Sequence, residues 1–299
     1  MSNCPHFLII GAARTGTSWL FKCLSRHPNL WLPPIKELHY FDSIASSLDE
    51  GFALQMRRYR LKTFAKARVK SYLKHGSFKP FSGHILRDAL AWDWRFFGGN
   101  GSLDWYQSLF QPAANHGYIT GEATPAYSIL PAEDIDTIFS IVPNVKLLLI
   151  LRDPIERIWS DFGRAKRKYG KSYSDEAKRA YVQSVSHQRR SNFPSILTNW
   201  TERTPKGQLW IGFYDDLQAD PSLFIDGVSR FLGVTPASQF LKADDLQPAN
   251  AGTSFAEEMP DWLRRDLYAA YRDDLAFLAD RLGGHAAHWQ RRAAALDEG

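Results

Sequence analysis

The chain has 299 residues, enough for one or two domains around a sizeable core. Its net charge of +5 and pI near 9.1 favour anionic ligands but fall short of a strongly basic nucleic-acid-binding surface, so no nucleic-acid partner is expected. Two cysteines, Cys4 and Cys23, exclude a disulfide framework. No apolar stretch nears the roughly 20 residues of a membrane-spanning helix and no leader pattern opens the chain, so the cytoplasm is the expected address, with peripheral membrane contact still allowed.

In chain order, residues 7–10 form a short apolar run that reads as a buried strand, and a helical pattern follows over 17–25. Residues 57–74 carry eight Lys or Arg and no acid, with apolar residues near helical spacing. They read as a basic amphipathic helix, either a solvated face or a surface for an acidic acceptor or a membrane. The stretch AWDWRFFGGNGSLDWYQSLF, within residues 76–111, reads as an insertion over the active face. The chain is 14% aromatic with ten Trp; most of these are expected in the core, and sugar stacking is the alternative for the rest.

Three further strands are predicted at 118–121, 145–151 (VKLLLIL) and 208–213 (QLWIGF). Unbroken Leu/Ile/Val runs suit parallel strands covered on both faces. Helices are predicted over 154–169, with Pro154 at an apt first position, over 220–232, and over 262–282 before Gly283 and Gly284. The alternation predicts an α/β chain with a P-loop-like three-layer fold, a central parallel sheet flanked by helices. A single domain over 1–299 is expected, with a basic and aromatic insertion at about 44–112 and a C-terminal helical segment at about 257–290.

The turn after the first strand, GAARTGTSWL, has the glycine spacing of the phosphate-binding loop G-x-x-x-x-G-K-[ST], but Thr17 occupies the lysine position. The nearest cation is Arg14, and Ser18 keeps the hydroxyl that would hold Mg²⁺. The run LLLIL ends directly in Arg152 instead of a metal-holding acid. Both changes count against ATP with magnesium. They suit a nucleotide whose transferred group bears less charge and needs no metal, such as a sulfuryl group on adenosine 5′-phosphate. A second phosphate on that donor would call for a second cationic site.

GAARTGTSWL resembles the 5′-phosphosulfate loop of the PAPS-dependent sulfotransferases, and LRDPIERIWSDF (151–162) resembles their 3′-phosphate motif. KELHYFD (36–42), GEATPAY (121–127) and GFYDDLQADPSLFIDGVSRFLGV are similar to segments of the heparan sulfate and bacterial carbohydrate branch. The resemblance implies transfer of a sulfuryl group from PAPS, with PAP as product and no metal required, to a small-molecule or glycan acceptor. It implies Arg14, Thr15, Gly16, Thr17 and Ser18 at the 5′-phosphate, Arg152 and Ser160 at the 3′-phosphate, and Tyr214 against the nucleotide. Glu37 is implied as the base, His39 is its rival, and Lys36 would stabilise the sulfuryl oxygens. Arg157 is expected to be a structural partner of a nearby acid.

Two departures stand out. Ala123 occupies the place of a lysine usual in the heparan enzymes, and the R-K-G-x-x-G-D-W segment of the cytosolic branch is missing, with NAGTS (250–254) standing in the corresponding loop. The competing readings are a divergent P-loop nucleotide kinase or NTPase and a catalytically silent binder of anionic glycans or membrane surfaces.

Overall fold

Five short strands lie side by side in the computed structural model, which describes residues 4–45, 62, 64–66, 89–170, 173–247 and 257–295. They are β1 (Phe7–Gly11), β2 (Leu30–Trp31), β3 (Ile119–Ala123), β4 (Lys146–Leu151) and β5 (Leu209–Phe213). All pairs are parallel, in the order β2-β3-β1-β4-β5. Phe7 of β1 lies opposite Gly121 and Lys146. A Cβ at Gly121 would stand 2.2 Å from the Phe7 ring, which explains the glycine inside β3.

Alternate residues of each strand enter two cores. Leu8, Ile10, Leu147, Leu149 and Leu151 face one, and Phe7, Ile9, Leu148 and Ile150 face the other. The second core is closed by α1 (Thr17–Leu24), through Trp19 and Leu20, and by Phe224, Ile225 and Val228. The expected helices after β4 and β5 are present as Pro154–Tyr169 and Pro221–Leu232. In chain order we label α2 (Ala89–Gly98), α3 (Leu103–Ser108), α4 (Pro154–Tyr169), α5 (Phe193–Arg203), α6 (Tyr214–Ala219), α7 (Pro221–Leu232), α8 (Asp261–Leu282) and α9 (Gly284–Ala294).

Strand β2 and the helices between α4 and β5, including α5, go beyond the sequence reading. The expected C-terminal helix is α8, and Gly283 turns the chain back into α9. Most of the basic stretch 57–74, residues 76–88 and the NAGTS segment lie outside the described residues. Within the aromatic stretch, Trp92 and Phe96 are buried and stacked, while Trp94 is 82% exposed. No described helix is long and apolar enough to cross a membrane.

Chain order places β2 and β3 on one side of β1, and β4 and β5 on the other. The strand order therefore reverses between β1 and β4, and doubly wound sheets take ligands in the crevice beyond the carboxyl ends at such a point. Arg14 follows β1, and Arg152 follows β4.

Candidate active site at the switch point

The loop after β1 is held by its own backbone and one hydroxyl. Ala12 N donates to Ile150 O of β4 at 3.0 Å, and Thr15 Oγ1 donates to Ala12 O at 2.7 Å, closing the turn. Gly16 begins α1 with φ 92°, and a Cβ there would stand 2.5 Å from Leu217 Cδ2, so both backbone and space require glycine. The first-turn amides of α1 have no acceptor within the helix, and they face outward with the positive end of its dipole.

The lysine missing from position 17 is supplied from elsewhere. Lys36 Nζ, from the segment after β2, donates to Thr17 Oγ1 at 3.0 Å and Ser18 Oγ at 2.9 Å. A cation thus sits at the mouth of the loop.

Arg14, Arg152, Ser160 and Tyr214 converge. Arg14 Nη2 donates to Ser160 Oγ at 3.0 Å and to Ser160 O at 3.2 Å. Arg152 Nη1 donates to Arg14 O at 3.3 Å, and its guanidinium lies 4.4 Å from the centre of the Tyr214 ring. The sites expected for the two phosphates are therefore contiguous, with Arg14 reaching across from one to the other. Burial depresses the Arg14 pKa; Asp161 opposes this, while Arg164, Arg152 and Arg167 depress it further. Arg14 Nε is buried with no hydrogen-bond partner among the described residues. An unpartnered guanidinium N–H inside a cationic cluster suits a bound anion.

Arg157, expected beside an acid, is fully buried and donates from Nε to Ser191 Oγ at 2.9 Å. Burial pulls its pKa to about 10, and nearby Asp161 works the other way.

The second half of the site is the segment 36–42. Glu37 and His39 have φ of 67° and 56°, left-handed conformations that cost non-glycine residues about 1–3 kcal/mol each. The segment is pinned from below. Glu37 N donates to Ala123 O at 2.7 Å, so Ala123 takes part through its backbone carbonyl. The Tyr127 hydroxyl accepts from the amides of Tyr40 (3.0 Å) and Phe41 (3.3 Å) and donates to Glu122 Oε1 (3.0 Å).

Glu122 is fully buried and also accepts from Tyr106 Oη at 2.5 Å and Thr124 Oγ1 at 2.9 Å. Burial lifts its pKa above the ordinary carboxylate value, and the three hydroxyl donors offset only part of that rise. The Tyr106 ring stacks on Tyr40 with centroids 4.1 Å apart.

His39 stands between two acids. Asp42 Oδ2 lies 2.5 Å from Nδ1, and Glu37 Oε2 lies 3.6 Å from Nε2, beyond hydrogen-bonding distance. The Asp42 contact assigns the ring hydrogen to Nδ1 and leaves Nε2 facing Glu37. Asp42 was not among the residues singled out in the sequence, although the quoted motif KELHYFD ends on it. Among the described residues, no group of three or more His, Cys, Asp or Glu is placed to hold a metal ion.

Comparison with known proteins gives the chain a family. The chain is 25% identical over 327 residues to bifunctional heparan sulfate N-deacetylase/N-sulfotransferase 4 of Mus musculus, covering 97% of this chain and 31% of that protein. It is 29% identical over 173 residues to carbohydrate sulfotransferase 15 of Homo sapiens, covering 53% of this chain and 27% of that protein. The chain thus matches less than a third of the length of either relative. A solved sulfotransferase from Alicyclobacillus acidocaldarius shares the fold, with a TM-score of 0.63 and 21% identity over 96% of this chain and 98% of that one. The model of the Sulfotransferase family matches residues 5–238, which take in all five strands, the loops after β1 and β4 and the segment 36–42, and the chain belongs to that family.

Proposed function

We propose that the chain moves a sulfuryl group from PAPS to a hydroxyl of a carbohydrate or another small metabolite, by in-line displacement with Glu37 as base. The observation that carries this reading is the convergence of Arg14, Arg152, Ser160 and Tyr214 at the switch point, with Lys36 at the mouth of the same loop. Arg152 and Ser160 would hold the 3′-phosphate, and Tyr214 would pack against the nucleotide. Arg14 and the amides of Thr15, Gly16, Thr17 and Ser18 would hold the 5′-phosphate. The Thr15 hydroxyl is already committed to Ala12.

In this step the acceptor oxygen bonds to sulfur, the bond from sulfur to the bridging oxygen breaks, and its electron pair leaves with PAP. The acceptor proton passes to Glu37, because an alcohol is far too weakly acidic to lose it unaided at neutral pH. Negative charge would grow on the leaving phosphate beside Arg14, and Lys36, hydrogen-bonded to Thr17 and Ser18 of the same loop, would meet the sulfuryl oxygens, so stabilisation would require little reorganisation. His39 Nε2, held by Asp42, faces the Glu37 carboxyl and can receive a hydrogen bond from it once it is protonated. In this reading Glu37 is the base and His39 accepts a hydrogen bond from it after proton transfer.

The kinase reading is weakened by Asp153, the acid nearest the end of β4. Its Oδ1 accepts from the amides of Ile155 and Glu156, and its Oδ2 accepts from Arg292, so the carboxylate serves as a helix cap and ion-pair partner. The deciding experiment incubates the chain with labelled PAPS and a panel of oligosaccharides, lipids and phenols. A labelled acceptor and released PAP support the reading. Turnover of magnesium-ATP with no sulfated product overturns it.

A further inference from the structure

The two residues stacked at the donor cluster, Arg152 and Tyr214, are each followed by an acid, and one helix holds both acids. Arg292 of α9 donates through Nη2 to Asp153 Oδ2, and the same nitrogen lies 3.7 Å from Glu156 Oε1. Trp289 Nε1 donates to Asp215 Oδ1 at 3.0 Å, and His285 Nε2 lies 2.7 Å from Asp216 Oδ1. Phe213, the last residue of β5, packs edge-on against the Trp289 ring with centroids 5.6 Å apart. Helix α9 therefore spans the carboxyl ends of β4 and β5. It lies beyond residue 238, where the family match ends.

The arrangement has a mechanical consequence. Among the described residues β5 is an edge strand paired with β4 alone, and Tyr214 begins a helix of six residues directly after it. Sheet hydrogen bonds fix the strands, but the distance between the residues just past their ends depends on what grips those residues. Asp153 is buried, with one oxygen capping α4 and the other on Arg292, so α9 is tied to the helix that carries Ser160. Asp215 ties the same helix to the Tyr214 side.

We infer that α9 is a splint for the donor site, in which Arg292 and Trp289 are positioning residues that set Arg152 against Tyr214. The inference rests on the sulfotransferase reading and predicts affinity for adenosine 3′,5′-bisphosphate. The test uses the full chain and compares wild type with Arg292→Ala, Arg292→Lys and Trp289→Phe. Bisphosphate affinity is measured by calorimetry, and melting temperature is measured without ligand. Losing a charge-assisted hydrogen bond weakens Arg292→Ala binding about tenfold. Arg292→Lys regains most of that loss, and Trp289→Phe, which keeps the ring packing, weakens binding about threefold.

Variants that melt like wild type and bind the bisphosphate like wild type overturn the splint alone. So does an Arg292→Lys variant no better than Arg292→Ala, since lysine preserves the charge at Asp153. Should Arg292→Ala fail to fold, wild-type affinity in Trp289→Phe overturns the splint, and a threefold loss supports it. A wild-type chain that ignores the bisphosphate overturns the function reading, and the splint falls with it.

Discussion

The donor cluster and the segment 36–42 share one edge of the sheet but are held there by different means. The donor cluster is built from ends of regular elements: β1, β4, β5 and the helices that follow them deliver Arg14, Arg152, Ser160 and Tyr214. The segment 36–42 has no ladder and little helix; it carries two left-handed non-glycine residues, against one, Arg14, in the donor cluster. A buried carboxylate holds it, through Tyr127 and Thr124, with Tyr106 stacked against Tyr40. The donor cluster takes its placement from strand ends and from the grip of α9 on Asp153 and Asp215. A base must meet one proton within hydrogen-bonding reach, and here a strained loop over-determined by a buried polar network supplies that placement.

That contrast can be broken one side at a time. The largest expected effect is on the loop side. Glu37→Gln keeps the shape but removes the base, and turnover falls about 10²–10⁴-fold with PAP affinity unchanged by calorimetry. Normal turnover in that variant would move the base to His39. On the donor side, Arg152→Ala weakens PAP binding by about 2–4 kcal/mol, because the bound phosphate loses a partly buried cationic partner. The same titration reads this directly, while α1 and the sheet keep their far-ultraviolet signature.

Next in size is Tyr127→Phe, which leaves the amides of Tyr40 and Phe41 without their acceptor and costs about 1–3 kcal/mol of stability. Turnover at saturating donor falls with it, whereas PAP affinity stays, because the donor cluster does not rest on Tyr127. Equal losses in both readouts would show that the two regions are one unit.

The smallest effect is a pH dependence on the donor side. Burial alone would raise the pKa of Asp161, but His187, Arg164 and Arg157 outweigh it and hold the carboxyl well below its ordinary value. An acid depressed in the folded state contributes stability that is complete above its unfolded pKa, about 3.9, and is lost as pH falls through the folded value. Asp161→Asn is therefore less stable than wild type at pH 7 by about 1–3 kcal/mol, and the gap closes on acidification below about pH 4. A constant gap across that range would contradict the assignment.

The sequence makes the donor side legible and leaves most of the loop side hidden. Arg14 and Arg152 follow short unbroken apolar runs, and Gly16 and Pro154 mark where helices begin, so local signals place them. The two residues of β2 are too few for any periodicity. Lys36 reaches Thr17 and Ser18 through the fold, and no spacing announces that contact. The His39 to Asp42 contact depends on a backbone turn that ordinary residue preferences disfavour, so its only trace is the motif around it. Glu122 looks like a strand-end acid in a glycine-bearing motif, and its network joins residues far apart in the chain. The grip of α9 on Asp153 and Asp215 is equally invisible, since it is made of common ion pairs between distant segments.

The most direct test is calorimetric titration of the wild-type chain with adenosine 3′,5′-bisphosphate in the presence of a chelator, alongside magnesium-ATP. The account predicts saturable binding of the bisphosphate, undiminished by the chelator, and much weaker uptake of magnesium-ATP. No heat with the bisphosphate, or tight metal-dependent binding of ATP, would contradict it.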